Sequence, residues 1–241
     1  MSSGSARLCL TGGSSRKKSA LGLFITGTDT GVGKTFTAVQ LLRLARAQGL
    51  RCAGYKPICC GDRQDAELLL AASSEGLTIN DVNPLWLRSP AAPYPASVVE
   101  KVNIEPDMLV QRFHALQKRF DFIVVEGVGG WLVPIRRDYL ISDLAVAMQL
   151  PVVVVALNRL GCLNHTLLTV RSVVAARLQC RGVAWNDAGG ASDVAATTNR
   201  AVLGELLDVP LLSGLTAEMA ELPAEWRQIV SASTDAKVSG D

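Results

Sequence analysis

Short apolar runs recur along the chain, and longer segments with apolar positions three and four apart lie between them. LFIT at 23–26, CAGY at Cys52–Tyr55, FIVVE at Phe122–Glu126, VVVVAL at Val152–Leu157, GVAWN at 182–186 and VPLL at 209–212 predict strands. Their apolar residues are consecutive rather than alternating. That predicts strands buried on both faces, as in a parallel sheet covered on both sides. Between them, FTAVQLLRLARAQG at 36–49 places Val39, Leu42 and Ala45 on one helical face and ends at Gly49, a C-cap glycine. ISDLAVAMQ at 141–149 and HTLLTVRSVVAARLQ at 165–179 read as helices of the same kind. Strand and helix in alternation predict an α/β fold, a wound and mostly parallel sheet flanked by helices. The proline-rich stretch NPLWLRSPAAPYPASV at 83–98 shows neither period and reads as a long irregular loop near the active edge of the sheet. Residues 1–20 and 231–241, rich in small and polar residues, read as disordered tails around one domain at 21–230.

Composition narrows the classes. With 241 residues, 49% hydrophobic and 19% charged, the chain is long enough for a sizeable core. A net charge of +2 without a long basic run gives no phosphate-tracking surface, so no nucleic-acid partner is expected. The six cysteines (Cys9, Cys52, Cys59, Cys60, Cys162 and Cys180) follow no C-x-x-C or disulfide-framework spacing and read as reduced thiols of a cytoplasmic protein. Only two histidines, His114 and His165, are present, and no metal-ligand cluster is visible. Arg16-Lys17-Lys18 followed by an apolar stretch imitates a signal peptide, but that stretch runs into a glycine loop where cleavage makes no sense. The longest apolar run, at 150–157, is far short of the roughly 20 residues that span a bilayer, so no membrane association is expected.

The chemistry starts at FITGTDTGVGKTF, 24–36. Gly33-Lys34-Thr35 closes it as a phosphate-binding loop does, yet G-x-x-x-x-G-K-[ST] asks for glycine at 28, where Thr28 stands one residue after Gly27. Strand, glycine loop and helix follow in order, and that context outweighs the mismatch. Backbone N–H groups of such a loop converge on phosphate oxygens at a helix N-terminus. Lys34 can reach the terminal phosphates, and the Thr35 hydroxyl can bind Mg²⁺. Glu126 ends an apolar strand before GVGG and is either a second Mg²⁺ ligand or a solvated strand-end carboxylate. Asp65 is either a third ligand or an acid stabilised at a helix start. Lys56 is either a second cation for a transferring phosphoryl group or a solvated strand-end lysine. The fold class is therefore a single-domain, P-loop NTPase-like α/β sheet.

Taken together, GTDTGVGKT, GYKPICCG, DFIVVEGVGGWLVP, LGCLNHTLLT and WND resemble the dethiobiotin synthetase family over about residues 22–215. The resemblance implies an ATP- and Mg²⁺-dependent ring closure on 7,8-diaminopelargonate and CO₂. A carbamate forms on one amine, is phosphorylated to a carbamic-phosphoric anhydride, and is captured by the second amine as a cyclic urea. It implies Lys34 and Lys56 as catalytic cations, and Thr35, Asp65 and Glu126 around Mg²⁺. ATP would be held by Thr30, Gly31, Val32, Gly33, Lys34, Thr35, Phe36, Asp65, Glu126, Gly127, Gly129, Asn186 and Asp187, with Asn186 reading the adenine. Cys60, Gly161, Cys162 and Asn164 would contact the substrate, the last three from a turn that reaches across a homodimer interface. On the residues alone, Cys162 and Asn164 also fit a buried small residue and a helix N-cap. Gly31 stands where some members carry an acid, Cys60 where serine is common, and the segment after Asp187 departs from the family pattern. Three alternatives stay open: a switch ATPase of the same superfamily, a regulatory domain without turnover, and a small-molecule kinase that would release a stable phosphorylated product. Switch ATPases usually carry a lysine five residues before the Gly-Lys-Thr lysine, and Asp29 occupies that position here.

Overall fold

The computed structural model describes residues 21–188 and 194–232. Six parallel strands form the central sheet: β1 (Leu21–Gly27), β2 (Cys52–Tyr55), β5 (Phe122–Glu126), β8 (Val152–Leu157), β9 (Cys180–Asn186) and β10 (Leu211–Leu212). Their spatial order is β10-β9-β8-β1-β5-β2. The run β3 (Ile58–Cys60) pairs in parallel with β4 (Leu85–Leu87), and β6 (Pro134–Arg136) pairs antiparallel with β7 (Tyr139–Leu140).

Consecutive apolar residues are possible in these strands because alternate side chains enter two different cores. Phe24, Ile123, Val125, Val152 and Val154 face one core, with Phe113, Leu144 and Val173 from the helices α5 (Pro106–Gln117), α6 (Ile141–Met148) and α7 (Cys162–Ala175). Leu23, Ile25, Phe122, Val124 and Val153 face the other. There Leu41 and Leu44 of α1 (Lys34–Ala47), Leu69 of α2 (Gln64–Ala72) and Trp226 of α9 (Ala224–Ala232) cover them. The short α3 (Ile79–Val82), α4 (Pro93–Glu100) and α8 (Val194–Leu206) complete the set.

Strands β1, β2, β5, β8 and β9 coincide closely with the predicted runs, and α1 ends as expected. Gly49 adopts φ +86, its N–H donates to the Arg46 carbonyl, and the Leu50 N–H donates to the Ala45 carbonyl. This is a Schellman closure, which favours glycine at the left-handed position.

The loop expected at 83–98 is not one. Leu85–Leu87 is a strand and Pro93–Glu100 a helix. Both prolines of α4, Pro93 and Pro95, sit in its first turn, where the missing N–H has no intrahelical acceptor to serve. The N-terminal tail expected at 1–20 lies outside the described residues. Of the C-terminal tail expected at 231–241, residues 231 and 232 belong to α9 and the rest lies outside.

In the parallel register Ile25 pairs with Glu126, Gly27 with Val155 and Leu157 with Asn186. The carboxyl ends of β1, β5, β8 and β9 therefore lie along one edge, and the connections leaving that edge build the site.

Candidate active site

The loop between β1 and α1 wraps the start of α1. Gly33 is the N-cap of α1 at φ +99, and a Cβ placed there would come within 2.4 Å of Asn186 Nδ2. Backbone conformation and space both demand glycine at this position. Thr30 N–H donates to Asp29 Oδ1 at 2.7 Å, and Arg159 Nη2 reaches Asp29 Oδ2 at 2.7 Å. Lys34 is buried and its ammonium donates to the Asp29 carbonyl at 3.0 Å. Burial, with Lys56 nearby, lowers its pKa to about 8, so the charge is held at some cost.

Lys56, Asp65, Glu126 and Thr35 meet at one point. Lys56 Nζ lies 2.7 Å from Asp65 Oδ2 and 2.6 Å from Glu126 Oε1. Thr35 Oγ1 lies 2.9 Å from Asp65 Oδ1 and 2.8 Å from Glu126 Oε1. Lys56 is 3% exposed and Glu126 0%, which removes the solvated reading of both. Asp65 occupies the first turn of α2, as the helix-start reading has it, and its carboxylate also meets Thr35 and Lys56. Burial alone would lower the Lys56 pKa, yet Glu126 and Asp65 outweigh it and keep the lysine above its ordinary range. Burial likewise opposes the Asp65 charge, and Lys56 overcomes it, holding that carboxyl below the usual range.

These groups open into a cavity of about 710 Å³, within the range of small-molecule sites. Thr30, Gly31, Gly33, Phe36, Cys60 and Gly129 line it together with Lys34, Thr35, Lys56, Asp65 and Glu126. Burial pushes the Cys60 thiol up to about 11, so it stays neutral at ordinary pH. The sequence reading missed part of the wall: Cys59, Asp62, Gln64, Val133 and Pro90 to Ala92. Cys59 lies in β3, Gln64 opens α2, and Asp62 lies within their connection, which is only three residues long, 61–63. Its Gly61 carbonyl accepts from Trp86 Nε1 at 2.8 Å, and Arg63 and Arg88 lie over the Trp86 ring.

Other expected residues lie outside this lining. Val32 is buried in the core, and its carbonyl accepts from Asn186 Nδ2 at 2.9 Å. Gly127 is buried beside Phe24 and Ile141. Asp187 Oδ1 accepts from Trp185 Nε1 at 2.8 Å and Asn158 Nδ2 at 2.9 Å, so that oxygen is engaged inside the protein. Gly161, not Asn164, is the N-cap of α7, with φ +91; Asn164 is the third residue of the helix and Cys162 is buried. The cavity lining includes none of Gly161, Cys162 and Asn164.

The donor set fits a hard divalent cation: two carboxylates and a hydroxyl, all oxygen. Glu126 Oε2 is buried with no hydrogen-bond partner among the described residues. Such an atom ordinarily finds a donor or a cation. Charge makes the same case. Lys34 and Lys56 balance Asp65 and Glu126, so a polyphosphate entering the site needs positive charge brought with it.

The AAA domain family matches residues 21–218. The ATP-dependent dethiobiotin synthetase BioD of Akkermansia muciniphila is 40% identical, over 79% of this chain and 90% of that protein. Those of Thermodesulfovibrio yellowstonii and Bacillus subtilis are 36% and 34% identical, over 83% and 85% of this chain and 90% of each relative. Among solved structures, the Pyrococcus furiosus cell division ATPase MinD superposes with a TM-score of 0.53 at 16% identity, covering 92% of this chain and 91% of that one. A ParA family ATPase from Chlorobium tepidum gives 0.51 at 12%, covering 91% and 94%. At such identities these two report the P-loop NTPase fold and nothing finer.

Proposed function

The chain belongs to the ATP-dependent dethiobiotin synthetase family, and from that premise we propose that it closes the cyclic urea of dethiobiotin on 7,8-diaminopelargonate and CO₂, releasing ADP and phosphate. The observation that carries the reading is the buried meeting of Lys56, Glu126, Asp65 and Thr35 directly beside the Lys34 loop. It joins a phosphate cradle to a carboxylate-and-hydroxyl oxygen set. The switch-ATPase alternative is not favoured, because the relatives that match most of the chain are synthetases and Asp29 replaces the signature lysine.

In this reading the carbamate oxygen attacks the γ-phosphorus as the ADP oxygen leaves, and the second amine then displaces phosphate from the carbamoyl carbon. Neither step calls for a strong side-chain acid or base. What accelerates them is placement and fixed positive charge on the phosphoryl oxygens. Lys34 leaves the Asp29 carbonyl for the β- and γ-phosphates. Lys56, already fixed by two carboxylates, faces the carbamate and the transferring phosphoryl group. Thr35, Asp65 and Glu126 would hold Mg²⁺, which would neutralise phosphate charge. Cys60, a neutral thiol on the cavity wall, lies along the carbamate. Asn186 and Asp187 face the base. A homodimer in the cytoplasm, with the turn at Gly161, Cys162 and Asn164 serving the neighbouring subunit's substrate, belongs to the same proposal. So does a single catalytic unit over 21–230.

The test is product analysis. Purified protein with MgATP, bicarbonate and 7,8-diaminopelargonate should form dethiobiotin and phosphate in equal amounts. Phosphate release without the ring product, from folded protein, would overturn the proposal.

A further inference from the structure

Two adjacent residues just past β8 hold the two ends of the candidate nucleotide site. Arg159 reaches forward to Asp29 of the phosphate loop at 2.7 Å. Asn158 reaches sideways: its Nδ2 donates to Asp187 Oδ1 at 2.9 Å and to the Ala196 carbonyl at 2.9 Å, and its backbone N–H donates to the Asn186 carbonyl at 2.8 Å. From α8, Asn199 Nδ2 clamps both, donating to Asn158 Oδ1 at 3.1 Å and to the Arg159 carbonyl at 3.3 Å. Asn158 and Asn199 are 8% and 4% exposed. A buried amide pair this fully engaged fixes one orientation of each side chain.

We propose that Asn158 is a positioning residue for the nucleoside: it fixes the Asp187 carboxylate and the end of β9 at a set span from the phosphate loop. The inference rests on the reading that Asn186 and Asp187 face the base. Asp187 Oδ1 takes two donors, Trp185 Nε1 from its own strand and Asn158 Nδ2 from the next. The two together fix the plane of the carboxylate. The Arg159–Asp29 pair alone cannot set the span, because both side chains are about half exposed, at 46% and 49%, and such pairs contribute little. A part-buried hydrogen bond to a charged acceptor is the stronger tie. Reading a base also needs this precision more than holding phosphate does, since the phosphate loop is organised by its own backbone and by Lys34.

Asn158→Asp keeps the size and exchanges the donating amide for an oxygen that faces the Asp187 carboxylate and the Ala196 carbonyl. Binding to the full chain is measured with ATP and with inorganic triphosphate, which has no base, both with Mg²⁺. The expected result is ATP affinity down about tenfold and triphosphate affinity within about twofold. The KM for ATP should rise, with kcat at saturation within about twofold. Equal loss for both probes, or no loss for ATP, overturns the proposal. Asn186→Ala is measured beside it. If that variant leaves the ratio of the two affinities unchanged, the base is read elsewhere and the underlying reading falls too. If it collapses the ratio and Asn158→Asp does not, only the positioning role falls. Should Asn158→Asp fail to fold, Trp185→Phe removes the other donor to the same oxygen and keeps a ring. It must shift the ratio the same way by about threefold, and an unchanged ratio overturns the proposal.

Discussion

Lys34 carries its charge against burial, and that tension makes its role measurable. With its pKa lowered to about 8, mainly by burial, the free enzyme begins to lose the ammonium within the working range. Charge is present below that pH and lost above it, so kcat/KM for MgATP should bend downward above pH 8. Lys34→Ala should abolish the bend and lower kcat/KM by about 10²–10³, as removal of one preorganised cation does, with the circular dichroism spectrum unchanged. Stability should move oppositely. The unfolded chain holds this proton up to its ordinary 10.5, so between 8 and 10.5 the unfolded state binds more protons and the residue's contribution rises with pH. Lys56 poses a different problem, because it neutralises Glu126 in a fully buried place. Lys56→Met should cost about 3–5 kcal/mol in urea denaturation by stranding that carboxylate. Adding Glu126→Gln should restore much of the stability and none of the activity. A double variant as unstable as the single one would show that the lysine acts through packing instead.

At the scale of elements, the chain separates what a helix needs from what the site needs. Gly49 closes α1 at φ +86, at the opposite end of the helix from the phosphate loop. Gly49→Ala should cost about 1–2 kcal/mol for the left-handed backbone and lower Tm by a few degrees, leaving KM for ATP unchanged. An altered KM would mean that the end of α1 is coupled to its start. The elements legible in the sequence were those whose signal is local. Strands β1, β5 and β8 announce themselves by apolar runs, and α1 by its period and closing glycine. The stretch at 83–98 was misread because its strand and helix are short and its prolines sit where a helix tolerates them. Site residues divide the same way. Lys34 and Thr35 belong to a contiguous loop, whereas Lys56 and Glu126 are 70 positions apart and only the sheet brings them together. Asn158 and Asn199, 41 positions apart, look like ordinary polar residues until β8 and α8 are packed.

For the whole molecule, the decisive fact is what the cavity lacks. One chain supplies the phosphate cradle, both lysines and the oxygen set, while Gly161, Cys162 and Asn164 lie outside the lining. If those three bind substrate, as the proposed function has it, they serve another subunit's cavity, and each site is built from two chains. An isologous dimer then contains two such composite sites, each needing Lys34 from one chain and Asn164 from the other. Lys34→Ala and Asn164→Ala proteins should each be nearly inactive alone. In a mixed dimer, one composite site takes both defects and the other takes neither. Random exchange at equal amounts makes half the dimers mixed with one intact site each, so activity should return to about a quarter of wild type. Sedimentation should give the dimer mass throughout. Were all three residues to act within their own chain, every site in the mixture would carry one defect and no activity would return. Recovery on mixing therefore separates a site that is complete in one chain from one that two chains share.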